Sequence, residues 1–344
     1  MIGKTFAYSY ANARVKAMKT LLLDKSLLEE MVKAAGIPEI ISVLERTNYR
    51  QDLSALGVKH AGAELVEFAL GRSFARDARK IIDITPKQGK QSVLALLEQW
   101  DVQNLKTIIL AKSLQKGDIE KYLVPAASLK EKDLKRLLEQ RDVDELVSFL
   151  QGTRYGAALQ RSLDEFRKSK DVTPLLNALD LNYLNRLGKS IVPKYEDEKA
   201  VKKMVREKID AKNIMLVLRA KKQGLENVEK FLVSGGTITK DGLQELAAAK
   251  DAEAVVMKVK DKFDLSKELE EFRKDGSLSH FESMLERAVA EKAMQRMRTA
   301  VQSLAVIAAY LVMKENETSN IRKIVRGKEF LLPEEKIREM LLLN

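Results

Sequence analysis

The sequence predicts an all-α protein, and three observations lead to this fold class. Leucine, alanine, lysine and glutamate dominate the 344 residues, and the alternation of β-branched residues that is typical of strands is scarce. Only 6 prolines and 16 glycines interrupt the chain, and no proline lies between Pro193 and Pro333, so long helices are permitted there. Finally, one short segment with apolar residues at helical spacing recurs along the chain.

The recurring segment has ten residues and is built around an asparagine. Its copies are QNLKTIILAK at Gln103–Lys112, KNIMLVLRAK at Lys212–Lys221 and SNIRKIVRGK at Ser319–Lys328. The asparagines Asn104, Asn213 and Asn320 are 109 and 107 residues apart. Apolar residues follow each asparagine by one, four and five positions, which places them on one face of a helix.

Each copy ends with a small residue and then a lysine, at Ala111–Lys112, Ala220–Lys221 and Gly327–Lys328. A small residue on a packed face lets a neighbouring helix come close. The lysine can lay its aliphatic stem over that contact and keep its charge in water. The copies therefore predict helices that pack closely, and none of them carries a catalytic residue.

Matched segments also follow the first two copies, IEKYLV at Ile119–Val124 and VEKFLV at Val228–Val233, and a degraded fourth copy surrounds Asn12. We therefore expect repeat domains at residues 1–92, 93–200 and 201–310, with C-terminal helices at 311–344 that close the array. Turn-rich junctions are expected in Asp83–Lys90 and Gly188–Glu198.

Local signals predict where some of the helices begin. Ser128 and Asp133 are candidate caps for the helix in LKEKDLKRLLE. Pro333 is predicted at the first helical position of LPEEKIREMLL, with two glutamates behind it that suit the helix dipole. The most apolar run, Leu304–Met313, has half of the ~20 residues that a membrane span needs, so it predicts a buried core helix.

The composition argues against an enzyme and against a resident cofactor or metal. There are no cysteines, and His60 and His280 lie far apart without metal-ligand spacing. KQGKQS at Lys87–Ser92 lacks the first glycine and the final Ser or Thr of a phosphate-binding loop. The turn SGGT at Ser234–Thr237 is better explained as a connection between helices than as an anion site.

A net charge of +11 predicts acidic partners. Nucleic acid is one candidate, but the single tryptophan, Trp100, offers no series of aromatic platforms for bases. Two alternatives to a role in a larger machine stay open at this point. They are a helical nucleic-acid-binding protein and an adaptor for some other complex.

Taken in order, several segments resemble the C subunits of archaeal and vacuolar-type rotary ATP synthases, which are similar to the d subunit of the eukaryotic vacuolar proton pump. The segments are FAYSYANARVKAMKTLLL, NLKTIILAK, NIMLVLRAK and VIAAYLVMKENETSNIRKIVRGKEFLLPEEKI. The resemblance implies three similar helical domains in a pseudo-three-fold funnel. It also implies a non-catalytic rotor subunit of the central stalk, peripheral on the cytoplasmic side of the membrane. Its partners would be the shaft subunits D and F and the proteolipid ring, and it would transmit torque without spanning the membrane.

Three basic residues are candidates for partner contacts because they share one position, two residues after an asparagine. They are Arg14, Lys106 and Arg322. One hypothesis is that these cations line or border the funnel. The other is that they satisfy the ends of neighbouring helices, and the sequence does not separate the two.

Overall fold

The computed structural model describes residues 7–225 and 228–342, and every regular element in these ranges is helical, which confirms the predicted fold class. The first ten α-helices are α1 Ser9–Lys19, α2 Lys25–Lys33, α3 Ile37–Glu45, α4 Arg50–Leu56, α5 Gly62–Ile84, α6 Lys87–Ser113, α7 Glu131–Glu139, α8 Val143–Phe149, α9 Gly156–Ser169 and α10 Thr173–Ser190. The others are α11 Glu198–Gln223, α12 Lys240–Ala247, α13 Ala252–Val259, α14 Ser266–Asp275, α15 Ser279–Met297, α16 Leu304–Glu329 and α17 Glu334–Met340.

The three copies of the repeated segment lie in three long helices, α6, α11 and α16. A short 3₁₀ turn follows α6 at Glu120–Tyr122, and another follows α11 at Val228–Phe231. After each turn come three short helices and then a longer one, α7–α10 in the first case and α12–α15 in the second. The order of helices therefore recurs together with the sequence pattern.

The chain divides into two compact units. The first contains the described residues up to Asp180 and those from Val301 onwards, and the second is Leu181–Ala300. The division into three repeat domains, and their arrangement as a funnel, stay predictions.

In the first unit, both ends of the chain contribute to one core. Ile321, Ile324 and Val325 of α16 and Ile337 of α17 pack with apolar side chains of α2–α5. Helices α5 and α16 run antiparallel, because Tyr310 bonds Asp77 near the start of α16 and Arg322 bonds Glu67 near its end. The N-terminal helices α2–α5 thus pack on α16 much as short helices pack on α6 and α11.

Most short helices begin at the kind of residue that elementary capping rules favour. Asp24, Asp142 and Asp251 each accept a hydrogen bond from the backbone amide three residues later, at the starts of α2, α8 and α13. Asp133 lies in the first turn of α7 and accepts from the amide of Lys130 at 2.9 Å. It therefore takes part in the cap, as predicted.

Two predicted helix starts need correction. The amide and hydroxyl of Ser128 donate to the carboxylate of Asp101 rather than capping α7, because the helix begins only at Glu131. Pro333 is the residue before α17 rather than its first residue, so the helix begins one position later than expected.

The apolar run Leu304–Met313 forms the start of α16, and most of it is buried, as the sequence predicts. Across residues 7–225 and 228–342, none of the helices combines the length and the apolar character that a bilayer crossing requires.

Candidate functional site

The repeated asparagines make the same double hydrogen bond on each long helix. The side-chain amide donates to the carbonyl of one residue, and Oδ1 accepts from the N–H of that same residue. The partners are Val124 for Asn104, Val233 for Asn213 and Leu342 for Asn320, with distances of 2.8–2.9 Å. A buried backbone group without a partner costs about 1–3 kcal/mol. Each asparagine therefore fastens a following segment to its helix, and we call this contact the asparagine clamp.

The degraded fourth copy lacks this clamp. The amide of Asn12 donates to the carbonyl of Val301 at 3.3 Å, and its buried Oδ1 has no hydrogen-bond partner in the described residues. The sequence likeness around Asn12 therefore does not extend to the contact that the other three copies share.

A buried carboxylate lies three residues before each clamping asparagine. Asp101 accepts from the amides of Ser128 and Leu129, at 2.9 and 3.0 Å. Asp210 accepts from the amides of Thr237 and Ile238, at 2.8 and 3.1 Å.

These carboxylates fasten the start of the next segment as the asparagines fasten its middle. The pattern built on the asparagines missed them, although the sequence carries a signal, an acid three positions before Asn104, Asn213 and Asn320. The third carboxylate, Glu317, accepts from the amide of Leu23 and from the hydroxyl of Tyr49, the latter at 2.7 Å.

The turn at Ser234–Thr237 is a connection rather than an open anion site. The amide and hydroxyl of Thr237 donate to Asp210, so an internal carboxylate already occupies them. A side chain at Gly236 would place its Cβ 2.0 Å from the Asp210 carboxylate, so only glycine fits there. Lys87–Ser92, which superficially resembles a phosphate-binding loop, forms the first turns of α6.

All three long helices end in the same way, with a Schellman motif. A left-handed residue follows the helix eleven positions after the clamping asparagine, and the next amide donates back to the carbonyl of the small residue. The left-handed residues are Gln115 (φ 51°), Gly224 (φ 65°) and Leu331 (φ 54°). The returning bonds are Lys116 to Ala111, Leu225 to Ala220 and Leu332 to Gly327, at 2.8–2.9 Å.

Two of the repeated lysines also have structural partners. Lys112 donates to the carbonyl of Leu138 at 3.0 Å, and Lys221 donates to that of Ala247 at 2.6 Å. These carbonyls lie in the last turns of α7 and α12, where backbone acceptors lack intrahelical donors. The repeat therefore specifies how each long helix holds the next short one.

The three predicted contact residues have different surroundings. Lys106 lies 3.0 Å from Asp180 of α10, and Arg322 lies 2.8 Å from the buried Glu67 of α5. Arg14 is exposed on α1 and forms no ion pair or hydrogen bond with a described residue. The structure does not bring the three into one cluster of contacts. Lys106 and Arg322 bridge neighbouring helices, and a funnel-lining role for all three stays a prediction.

A buried lysine, which the repeat pattern alone does not single out, lies at the centre of a polar network in the first unit. Lys314 is 2% exposed, and its Nζ lies 2.7 Å from Glu317 and 3.8 Å from Asp77. It also donates to the hydroxyl of Tyr49 at 3.0 Å and lies over the ring of that tyrosine. Glu98 and Glu207 occupy the same position, six residues before the asparagine, in the other two copies. The change from acid to base at this position was the available signal.

Burial raises the pKa of three tyrosines in the first unit. For Tyr49, Tyr155 and Tyr310 loss of hydration is the main cause, and the negative charges of Glu317, Asp101 and Asp77, respectively, add to it. Their hydroxyls donate to those same carboxylates. The tyrosines therefore act as fixed, neutral donors that help to hold buried acids in place.

The predicted absence of a metal site concerns residues that the structure leaves apart. His60 pairs with Glu64 at 3.2 Å, and His280 pairs with Asp275 at 2.7 Å. Within the described ranges, no three histidine, aspartate or glutamate side chains are grouped so that they could hold a metal ion.

Comparison with known proteins gives a match along almost the whole chain. The profile of the family described as "ATP synthase (C/AC39) subunit" matches residues 11–340. The C subunits of two archaeal A-type ATP synthases are similar over nearly their whole lengths. That of Thermoplasma acidophilum is 27% identical over 100% of this chain and 99% of its own, and that of Thermococcus onnurineus is 30% identical over 99% and 91%. The namesake from Methanocaldococcus jannaschii is 29% identical, covering 97% of this chain and 86% of its own.

Proposed function

Because this chain belongs to the family of ATP synthase C/AC39 subunits, we propose that it is a non-catalytic rotor subunit of an A/V-type ATP synthase. In this role it connects the shaft of subunits D and F to the proteolipid ring, as a peripheral protein on the cytoplasmic side of the membrane. Torque from ion flow through the ring passes through it to the ATP-making head, or in the opposite direction during hydrolysis.

The observation that carries the proposal is the length of the match. Similarity to C subunits of A-type ATP synthases covers 97–100% of this chain in three relatives, so it is not the likeness of a single motif. A role that uses the whole chain, such as a mechanical connection, agrees better with this pattern than a role confined to one pocket.

The asparagine clamps support a mechanical role physically. A torque-transmitting part has to resist deformation, and close-packed helices have low compressibility. Each long helix is fastened to the following segment by a buried carboxylate and a buried asparagine, so sliding would leave several polar groups unpaired. The polar groups of the repeat are thus used to fix helices together.

The charge supports a location beside acidic surfaces. With a net charge of +11, the chain is attracted to anionic lipid or to acidic faces of other subunits. Basic residues close to an anionic membrane contribute about 1 kcal/mol each.

A recovery experiment tests the proposal. The tagged full chain is added to membranes that contain a depleted ATP synthase and is then recovered at stepwise increasing salt. We expect the head subunits, D, F and the proteolipid to be recovered together with it. Recovery of nucleic acid alone, with a steep loss between about 50 and 200 mM salt, would contradict the proposal and support the alternative nucleic-acid-binding role.

We also propose that Arg14, Lys106 and Arg322 border the surface that receives the shaft. Reversal of Lys106 or Arg322 alone is ambiguous, because it would also place two carboxylates against each other inside the first unit. The swap Lys106→Asp with Asp180→Lys keeps the internal pair and exchanges the charges. Recovery of D and F is expected to fall for the swap and for Arg14→Glu, and unchanged recovery for both would contradict this assignment.

A further inference from the structure

Helix α1 presents an exposed face with large apolar side chains at both ends. Tyr10 is 66% exposed and Leu21, just after the helix, is 54% exposed. Ala13, Arg14 and Ala17 lie between them, are exposed, and share this face at 100° per residue. Two apolar anchors with small residues between them give a surface on which a second helix can lie closely.

The same face is cationic and has no internal counter-charge. Residues 7–23 contain three basic residues, Arg14, Lys16 and Lys19, and no acidic residue. All three are exposed, and none forms an ion pair or hydrogen bond with a described residue. Helix α9 differs, because its exposed cations share the helix with Asp164 and Glu165.

Interaction with the helix dipole explains only part of this pattern. Lys16 and Lys19 lie in the last turn of α1, where cations are stabilised by the partial negative charge of the helix end. That effect fades within a turn, so it does not explain Arg14. Nor does it explain the exposed Tyr10 and Leu21, which gain nothing from the dipole.

The opposite face of α1 is seated firmly on the first unit. The Tyr8 hydroxyl lies so close to Gly89 of α6 that a Cβ there would be 2.4 Å from it. Ala11, Asn12 and Val15 are buried, and α1 packs on α5 and α16. The cationic face is therefore carried by a fixed helix, so a partner would not have to order it first.

We propose that this face of α1 is a docking site for an acidic amphipathic α-helix of another subunit of the ATP synthase, a proposal that rests on the function proposed above. The partner's apolar residues would cover Tyr10, Ala17 and Leu21, and its carboxylates would pair with Arg14, Lys16 and Lys19. An acidic helix fits because it supplies both the apolar stripe and the missing counter-charge.

The size of the face indicates what kind of contact this is. From Tyr10 to Leu21 it extends for about 16 Å, or three turns of helix. A stable interface buries more than about 1,000 Å² in total, which a face this short does not supply alone. The contact therefore orients a partner that is also held elsewhere in the complex.

Photo-crosslinking in the assembled complex tests the proposal. The full chain carrying Tyr10→p-benzoylphenylalanine is incorporated into the complex on lipid vesicles, irradiated and analysed by mass spectrometry. The matched control places the same probe at Phe149, an exposed aromatic residue that ends α8. We expect the first probe, and not the control, to label a helix of another subunit that has carboxylates along one side. Labelling of lipid, of a second copy or of a segment without acids, or no labelling at all, would overturn the proposal.

Charge reversal provides the second measurement. Arg14→Glu with Lys16→Glu is expected to lower the crosslink yield at least about tenfold, and reversing the acids of the labelled helix is expected to restore it. Arg161→Glu with Lys168→Glu, on the exposed side of α9, serves as the control and should leave the yield unchanged. An unchanged yield for the α1 variant would contradict the docking site while the chain remained in the complex. Failure of the unmodified chain to join the complex would instead contradict the proposed function.

Discussion

The clamps on α11 and α16 use the same chemistry but close very different stretches of chain. Asn213 bonds Val233, 20 residues later, and the neighbouring Asp210 bonds Thr237, 27 residues later. Beside the Asn320 clamp, Glu317 bonds Leu23 and Tyr49, which are 294 and 268 residues away in the sequence. One module is thus closed by residues that follow it directly, and the other by the opposite end of the chain.

This difference matters for how the two modules gain their stability. Bringing distant segments together costs more chain entropy than closing a short loop, although the cost rises slowly with length. The module around α16 has an additional buried network centred on Lys314, whereas α11 has the partly exposed pair of Arg296 and Glu207. The more distant closure is therefore accompanied by the more deeply buried polar contacts.

The largest expected effect comes from removing the buried cation. Lys314→Met preserves much of the side-chain volume but leaves the carboxylates of Glu317 and Asp77 buried without it, which is expected to cost about 3–5 kcal/mol. Glu207→Gln on α11 is the matched change and is expected to cost about 1 kcal/mol or less, because its partner Arg296 is partly hydrated. Denaturant unfolding measures both free energies. Equal losses would contradict the contrast between the two modules.

The next effect comes from the clamps themselves. Asn213→Ala leaves the N–H and carbonyl of Val233 buried and unpaired, with an expected cost of about 2–4 kcal/mol. Asn320→Ala is expected to cost about half as much, because Leu342 is partly exposed and water can replace the asparagine. Hydrogen exchange at the amides of Val233 and Leu342 reports each site separately. A larger loss of protection at Leu342 would contradict this ranking.

Alkaline pH is expected to weaken the first unit through its buried tyrosines. The pKa of Tyr49, and those of Tyr155 and Tyr310, are raised in the folded protein, so at high pH the unfolded chain loses these protons first. Their contribution is complete below about pH 10 and declines as the pH rises above it.

Absorbance of tyrosinate, recorded with far-UV circular dichroism during a pH titration, follows this loss. The buried tyrosines should ionise together with unfolding. Tyr155→Phe should make the decline shallower. Ionisation of all the tyrosines near pH 10 with the helices intact would contradict the buried arrangement.

The smallest expected effect concerns the two helix ends. Leu331 holds a left-handed conformation that costs a non-glycine residue about 1–2 kcal/mol, and it is 90% exposed, so little packing offsets that cost. Leu331→Gly is expected to raise stability by up to about 1 kcal/mol. Gly224→Ala, at the equivalent end of α11, is expected to lower it by a similar amount. Thermal unfolding of the pair checks the sign, and a stabilising Gly224→Ala would contradict the equivalence.

The periodic part of this molecule could be predicted from the sequence. Apolar spacing and the recurring asparagine placed three long helices correctly, because both signals lie within ten residues. The carboxylates three positions earlier could also have been found, since Asp101, Asp210 and Glu317 recur with the same spacing.

The long-range part could not be predicted in this way. Nothing in the sequence near Glu317 indicates that its partners are Leu23 and Tyr49, because such pairing depends on where distant helices pack. The likeness around Asn12 was misleading for the same reason. Its partner Val301 lies 289 residues away and supplies only one hydrogen bond. The starts of α7 and α17 were displaced by a few residues because Ser128 serves a buried carboxylate and Pro333 precedes its helix.

The most direct test of the central claim measures coupling in a reconstituted complex. Vesicles carrying the ATP synthase without this subunit are supplied with an ion gradient, and ATP synthesis and ATP hydrolysis are recorded before and after the full chain is added back. A rotor connection predicts that the depleted complex hydrolyses ATP without moving ions, and that the added chain restores gradient-driven synthesis. Gradient-driven synthesis at full rate without the chain would contradict the account, as would hydrolysis that requires it for the chemical step.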